Sequence, residues 1–154
     1  MADELNVLDV IDVQTVLLHL EAANKDEALQ KMSEALQEAG YLKDTAGFLQ
    51  DVYKREQEGC TGIGDFIAIP HGKSTHVQKI GVAIATIDQE IEWETLDDNG
   101  VRVIVLFAVG ADAASANEHL KLLAMFAKKL GREDVVQALL KADTTDDVLA
   151  AFKD

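Results

Sequence analysis

Two segments of this chain can bury apolar residues on both faces of a strand, and that limits the fold more than any other feature. Val101 to Val109 is the most apolar run of the sequence. Lys79 to Ile87 alternates small Gly81, Ala83 and Ala85 with Ile80, Val82, Ile84 and Thr86. Strands of this kind belong in a sheet with helices on each side, because both faces need an apolar partner. A chain of 154 residues fits one such domain, able to bury roughly 70% of the surface its unfolded form exposes.

The surrounding segments supply the helices. Met1 to Asp12 is acidic and predicts no firm element, whereas Val13 to Leu20 is rich in Val and Leu and predicts a first strand, with His19 in a structural place inside it. Asn24 and Glu27 have capping-box spacing ahead of Ala28, Leu29, Met32, Leu36 and Ala39, a helical stripe that Gly40 stops. Asp44 is placed to cap a second helix, with Phe48, Leu49, Val52 and Tyr53 on its inner face and Gly59 beyond its end. Arg55 falls in the last turns, where the helix dipole favours a cation. On the residues alone it needs no other role.

Gly62 to Ser74 is the first stretch that suggests chemistry. It contains the only proline of the chain, Pro70, with His71 straight after it. Phe66 to Ile69 predicts a short buried strand, which Pro70 ends because proline cannot donate to a sheet ladder. His71 is then fixed at a strand end, and Gly72 keeps the approach to it open. A plain loop, a terminator and a surface histidine would give the same three residues.

A second histidine follows the apolar strand. Ser115 and Glu118 have capping-box spacing, and Leu120, Leu123, Phe126, Ala127 and Leu130 form one helical face up to Gly131. His119 then lies in about the first turn, where free N–H groups attract anions and disfavour an imidazolium. A neutral His119 there can offer an N–H to a phosphoryl oxygen; a tolerated surface histidine is the alternative. Arg102 is expected to reach solvent, and Trp93, in the polar segment Asp88 to Gly100, to pack. Two further helices are expected over Glu133 to Lys141 and Asp146 to Phe152, the latter capped by Thr144 or Thr145.

Composition removes several function classes. A formal charge of -14 and a pI near 4.5 argue against nucleic acid and favour basic protein partners. Cys60 is the single cysteine, so no internal disulfide or Cys-rich metal site is available. No signal-peptide pattern is present, and the longest apolar run, Val103 to Val109, is far short of the ~20 residues a membrane helix needs. The expectation is a cytoplasmic protein with no metal and no cofactor. His76 lies five residues beyond His71, a poor spacing for shared ligation, and reads as a solvated turn histidine. Lys73-Ser74 lacks the glycine spacing of a phosphate-binding loop, and no nucleophile elbow supports a Ser-His-Asp hydrolase.

From Glu56, through Ile63-Gly64 and Ile67-Ala68-Ile69, to Pro70-His71-Gly72, the chain resembles the phosphohistidine signature of the fructose/mannitol family of enzyme IIA, in the bacterial phosphoenolpyruvate-dependent sugar phosphotransferase system. His119-Leu120 also matches the His-Leu pair of that family. The resemblance implies one α/β domain over residues 1–154, with a mixed parallel and antiparallel sheet flanked by helices on both faces. It implies that HPr, the small histidine phosphocarrier, phosphorylates His71, and that a cysteine of an enzyme IIB accepts the group for uptake of fructose or mannitol. Arg55 and His119 match the residues that steady the phosphoryl group. A regulatory enzyme IIA that signals its phosphorylation state to target proteins would use the same His71. Asp65 and Phe66 depart from the pattern, filling positions that often carry a small or polar residue and glycine.

Overall fold

In the computed structural model, which describes residues 7–153, the apolar run becomes the strand on which the sheet is built. In chain order the elements are α1 (Val7–Val10), a 3₁₀ turn (Val13–Thr15), β1 (Val16–Leu17), α2 (Lys25–Glu38), α3 (Thr45–Glu56), β2 (Gly62–Gly64), β3 (Ile67–Ala68), β4 (His71–Ser74), β5 (Gly81–Ile91), β6 (Val101–Gly110), α4 (Ala113–Leu130), α5 (Glu133–Lys141) and α6 (Thr145–Ala151). The six-stranded sheet runs β1-β5-β6-β3-β2, with β4 also paired to β6. β1 is parallel to β5, and β3 and β4 are parallel to β6. β5 with β6 and β2 with β3 are antiparallel. The expected mixed sheet is therefore the one that forms.

Alternation along β6 explains the helices on both sides. Ile104, Leu106 and Ala108 enter a core with Leu29, Met32 and Leu36 of α2 and Phe48 and Val52 of α3. Val103, Val105, Phe107 and Val109 enter a second core with Leu122 and Phe126 of α4, Leu139 of α5 and Phe152. Side chains two apart share a face of a strand, so one apolar run serves both layers. Each large side chain so buried contributes about 1.5–3 kcal/mol.

Several caps form as expected. Asn24 accepts from the Glu27 N–H, Asp44 from the Gly47 N–H, and Thr144 and Asp147 make a full capping box. Gly40, at φ +92°, ends the turn after α2.

Other elements differ from the expectation. The strand expected over Val13 to Leu20 shrinks to Val16–Leu17, because Asp12 caps a 3₁₀ turn before it and His19 has φ +52° after it. Of the acidic segment Met1 to Asp12, residues 1–6 lie outside the described residues, while Val7–Val10 is a short helix. The strand expected over Phe66 to Ile69 is Ile67–Ala68, since Asp65 and Phe66 both take positive φ, +56° and +69°. A left-handed conformation costs a non-glycine residue roughly 1–2 kcal/mol, which accounts for glycine's suitability at the second position. Arg102 is half-buried, its Nε donating to the Ile87 carbonyl at 3.2 Å.

Helix α4 begins earlier than the Ser115 expectation. Asp112 is its cap, accepting from the Ser115 N–H and hydroxyl, and Ala113 and Ala114 extend the first turn. Alanine is the best helix former and aspartate as good a cap as serine, so the earlier start prevails. The inner face turns accordingly: His119, Leu122, Phe126 and Leu130 are buried, whereas Leu120 is 64% exposed and Ala127 is exposed.

Candidate active site

His71 owes its position to an interrupted strand. β3 pairs with Val103 and Ile104 of β6, and β4 resumes the same parallel pairing with His71 opposite Phe107. Pro70 breaks the ladder between them, yet its carbonyl still accepts from the Phe107 N–H at 3.0 Å. His71 therefore opens a strand instead of closing one. Gly72 lies against α3 so closely that a Cβ there would sit 2.7 Å from Val52 and 2.8 Å from Phe48. By alternation, the His71 side chain faces the opposite layer, towards α4.

The three residues singled out in the sequence meet at this point. Arg55, in the last turn of α3, donates from Nε to His71 Nε2 at 3.2 Å and from an Nη to the Gly59 carbonyl at 3.2 Å. His119, 8% exposed, places its ring centroid 4.8 Å from that of His71, tilted by 47°. Phe107 packs against the His119 ring, centroids 5.5 Å apart. His71 Nδ1 and His119 Nε2 are buried without a hydrogen-bond partner.

Electrostatics favour two neutral rings. Burial, then the Arg55 charge, lowers the pKa of His71; the Ile69 carbonyl and the carboxylates of Glu56 and Glu58 oppose the shift. Since Arg55 donates to Nε2, the neutral ring carries its proton on Nδ1. His119 is pushed down to about 4 by burial first, then by His71, Arg55 and Lys73. Its neutrality was expected from the helix N-terminus, but His119 lies beyond the first turn of α4 and burial is the main cause.

Other candidates fall elsewhere. His19 bridges Asp88 at 2.5 Å and Asp143 at 2.9 Å, and these hydrogen bonds raise its pKa. His76 is half-buried, its ring filling the space where a side chain at Gly47 would sit, and is not the solvated histidine expected. Cys60 is exposed. Asp65 lines a shallow cavity with Phe66, Gly131, Glu133, Val136 and Gln137 and is not among the charges that shift His71. Among the described residues no group of three or more His, Cys, Asp or Glu is placed to hold a metal. Lys73, set aside in the sequence as lacking a phosphate-binding loop around it, does stand near the site. It lies two places beyond His71 on β4, hence on the same face, and acts on His119; period-two alternation from His71 would have found it.

Residues 9–154 match the family described as Phosphoenolpyruvate-dependent sugar phosphotransferase system, EIIA 2. The chain belongs to this family. A fructose-specific EIIA component of the phosphotransferase system (PTS) from Haloferax volcanii is 34% identical over 152 residues, which span 93% of this chain and 97% of the relative. The 2-O-alpha-mannosyl-D-glycerate-specific EIIABC component of Escherichia coli is 28% identical over 151 residues, 97% of this chain but 23% of the relative, so the chain spans about a quarter of that protein's length. The crystal structure of IIA mannitol from E. coli superposes with a TM-score of 0.79 at 25% identity, covering 93% of this chain and 99% of the other. A complex of that enzyme IIA with phosphorylated enzyme IIB gives 0.78 at 25% identity, covering 92% and 96%. Nitrogen regulatory protein IIA-Ntr from Neisseria meningitidis, at 22% identity, shares the fold with a TM-score of 0.85 over 96% of this chain and 99% of the other. Membership gives this EIIA chain a transferase role in the PTS. No helix among the described residues is long and apolar enough to cross a membrane.

Proposed function

We propose that residues 1–154 act as one phosphoryl-carrying unit, in which His71 accepts phosphate from phospho-HPr and passes it to a cysteine of an enzyme IIB. The observation that carries this reading is the Arg55 guanidinium on His71 Nε2, beside a second buried, neutral histidine. The lone pair on Nε2 attacks phosphorus, the N–P bond to the donor imidazole breaks, and its electron pair returns to the donor. His71 keeps its Nδ1 proton throughout, so the ring gains positive charge as the phosphoryl group arrives. In the second step a IIB thiolate attacks phosphorus and the ring leaves as neutral imidazole. No metal is required, because phosphoryl transfer asks mainly for alignment and for charge stabilisation on the equatorial oxygens.

The neighbours supply that stabilisation. Arg55 shifts its donors from Nε2 to the phosphoryl oxygens, a forked and charge-assisted contact. His119 Nε2, otherwise without a partner, donates from the other side. The sugar never meets this chain. Fructose- or mannitol-type uptake is the transport we assign, supported by the fructose-specific relative at 34% identity and the mannitol structure at 25%. The site is cytoplasmic in this scheme, where both protein partners act.

Incubation with phosphoenolpyruvate, enzyme I and HPr should add one acid-labile, alkali-stable phosphoryl group to the wild type and none to His71→Ala. Label that persists in His71→Ala, or resides on Cys60, overturns the assignment.

A further inference from the structure

Behind His71 lies a polar chain, buried except at Glu94, that makes no hydrogen bond to the His71 ring. Glu56, the last residue of α3 and the neighbour of Arg55, has a side chain only 8% exposed. One of its oxygens pairs with Lys25 Nζ at 2.6 Å; the other accepts from the Thr61 hydroxyl at 2.7 Å. Lys25 also reaches Glu94 at 3.0 Å and lies 4.8 Å over the Trp93 ring. The Trp93 indole N–H donates to the Thr61 hydroxyl oxygen at 3.3 Å. Burial opposes the Lys25 charge, yet the bonds to Glu56 and Glu94 raise its pKa above the ordinary value.

Thr61 is where this chain meets the reactive strand. It is 3% exposed, and its carbonyl accepts from the Ile69 N–H at 2.9 Å. Ile69 leads through Pro70, whose carbonyl accepts from the Phe107 N–H at 3.0 Å, into His71. One buried threonine thus bonds, through its hydroxyl, to the helix that carries Arg55 and, through its carbonyl, to the turn that orients His71. Its hydroxyl donates once and accepts once, so removing it would strand both a carboxylate oxygen and an indole N–H in the interior.

We infer that Thr61, held by Glu56 and Lys25, is a positioning residue for phosphoryl transfer, fixing Arg55 and the His71 tautomer relative to each other. The inference rests on His71 as the acceptor. Thr61 touches neither the phosphoryl group nor the ring. It acts by setting the distance between two elements whose side chains must meet at Nε2. A residue that merely filled space would behave differently, because valine has the shape of threonine without its hydroxyl, and serine keeps the hydroxyl without the methyl.

That contrast gives the test, made on the full chain. Two quantities are measured: the rate of phosphoryl acceptance from phospho-HPr over a range of its concentrations, and the His71 tautomer by nitrogen-detected NMR of the unphosphorylated protein. Thr61→Val should lose at least ~10-fold in maximal rate, within the about 100-fold that an ångström of misplacement costs. The half-saturating phospho-HPr concentration should hold, and the share of His71 protonated on Nε2 should rise. Thr61→Ser should rescue most of the rate and restore the tautomer. If Thr61→Val does not fold, Glu56→Gln takes its place with the same expected changes, since a neutral amide grips Lys25 and Thr61 less firmly. Wild-type rate and tautomer in the folded variant, or equal losses in Thr61→Val and Thr61→Ser, overturn the inference. The tautomer is read without phosphate: a wild type that takes no label refutes the acceptor reading, while the tautomer still decides the role of Thr61.

Discussion

Phosphorylation of His71 should raise the pKa of His119, and the structure sets the size of the effect. His119 begins at about 4, held there by burial and by the positive field of its neighbours. Transfer adds one net negative charge, because the incoming phosphoryl dianion is partly offset by the positive charge its ring acquires. The rings are 4.8 Å apart. A unit charge at ~5 Å and an effective dielectric constant near 20 contributes roughly 3 kcal/mol, or about 2 pH units. The sign is upward, since a nearby anion favours the imidazolium. His119 should therefore titrate near pH ~6 in the phosphoprotein. NMR titration of its imidazole protons, taken downward from mildly alkaline pH with and without phosphate on His71, measures the shift. A histidine farther than a Debye length of ~8 Å would feel almost nothing at physiological salt. An unmoved midpoint would remove His119 from the site and leave His71 and Arg55.

Two further outcomes follow from distances at the same strand. Arg55→Ala should fold normally and transfer at least ~10-fold more slowly, within the about 10²- to 10³-fold range for a lost preorganised donor, with lysine rescuing only in part because it lacks the fork. The same change removes the positive charge that, after burial, lowers the His71 pKa, so the acid limb of the pH–rate profile should move to higher pH; a profile that stays in place would return Arg55 to a helix-end charge. Gly72→Ala should lower stability by about 1–3 kcal/mol, because its methyl would meet Val52 and Phe48 of α3 at under 3 Å and force the core apart. Thermal unfolding reads this directly, at roughly 2–4 °C per kcal/mol for a chain of this size, and an unchanged midpoint would mean that α3 is free to move off β4.

The strands apolar on both faces and the caps at Asn24, Asp44 and Thr144 were legible because each depends on residues close in sequence. His71 and Arg55 were legible through their motif, although nothing local shows that α3 and β4 bring them to 3.2 Å. The start of α4 was misplaced because Asp112 and Ser115 are both good caps, and only packing chooses between them. That shift hid the burial of His119 and exposed Leu120. The left-handed turn at Asp65 and Phe66 ran against local preference, so the residues themselves argued for a longer strand than Ile67–Ala68. Nothing local in the sequence marks Thr61, and Lys73 stands there only in an incomplete match to a phosphate-binding loop. Their roles come from register and from partners 32 and 46 residues away, Trp93 and His119.

The broken strand has a consequence for how the group travels. With Pro70 and His71 both tied to Phe107 of the central strand, the proposed nucleophile has no arm to swing. Every displacement in the proposed relay must then be made by whole domains meeting and parting. Because orientation at the acceptor is already supplied by folding, an encounter need last only long enough for one in-line pass. Such a station works best with partners that bind loosely and leave quickly, and a tightly gripping partner would slow the traffic it serves.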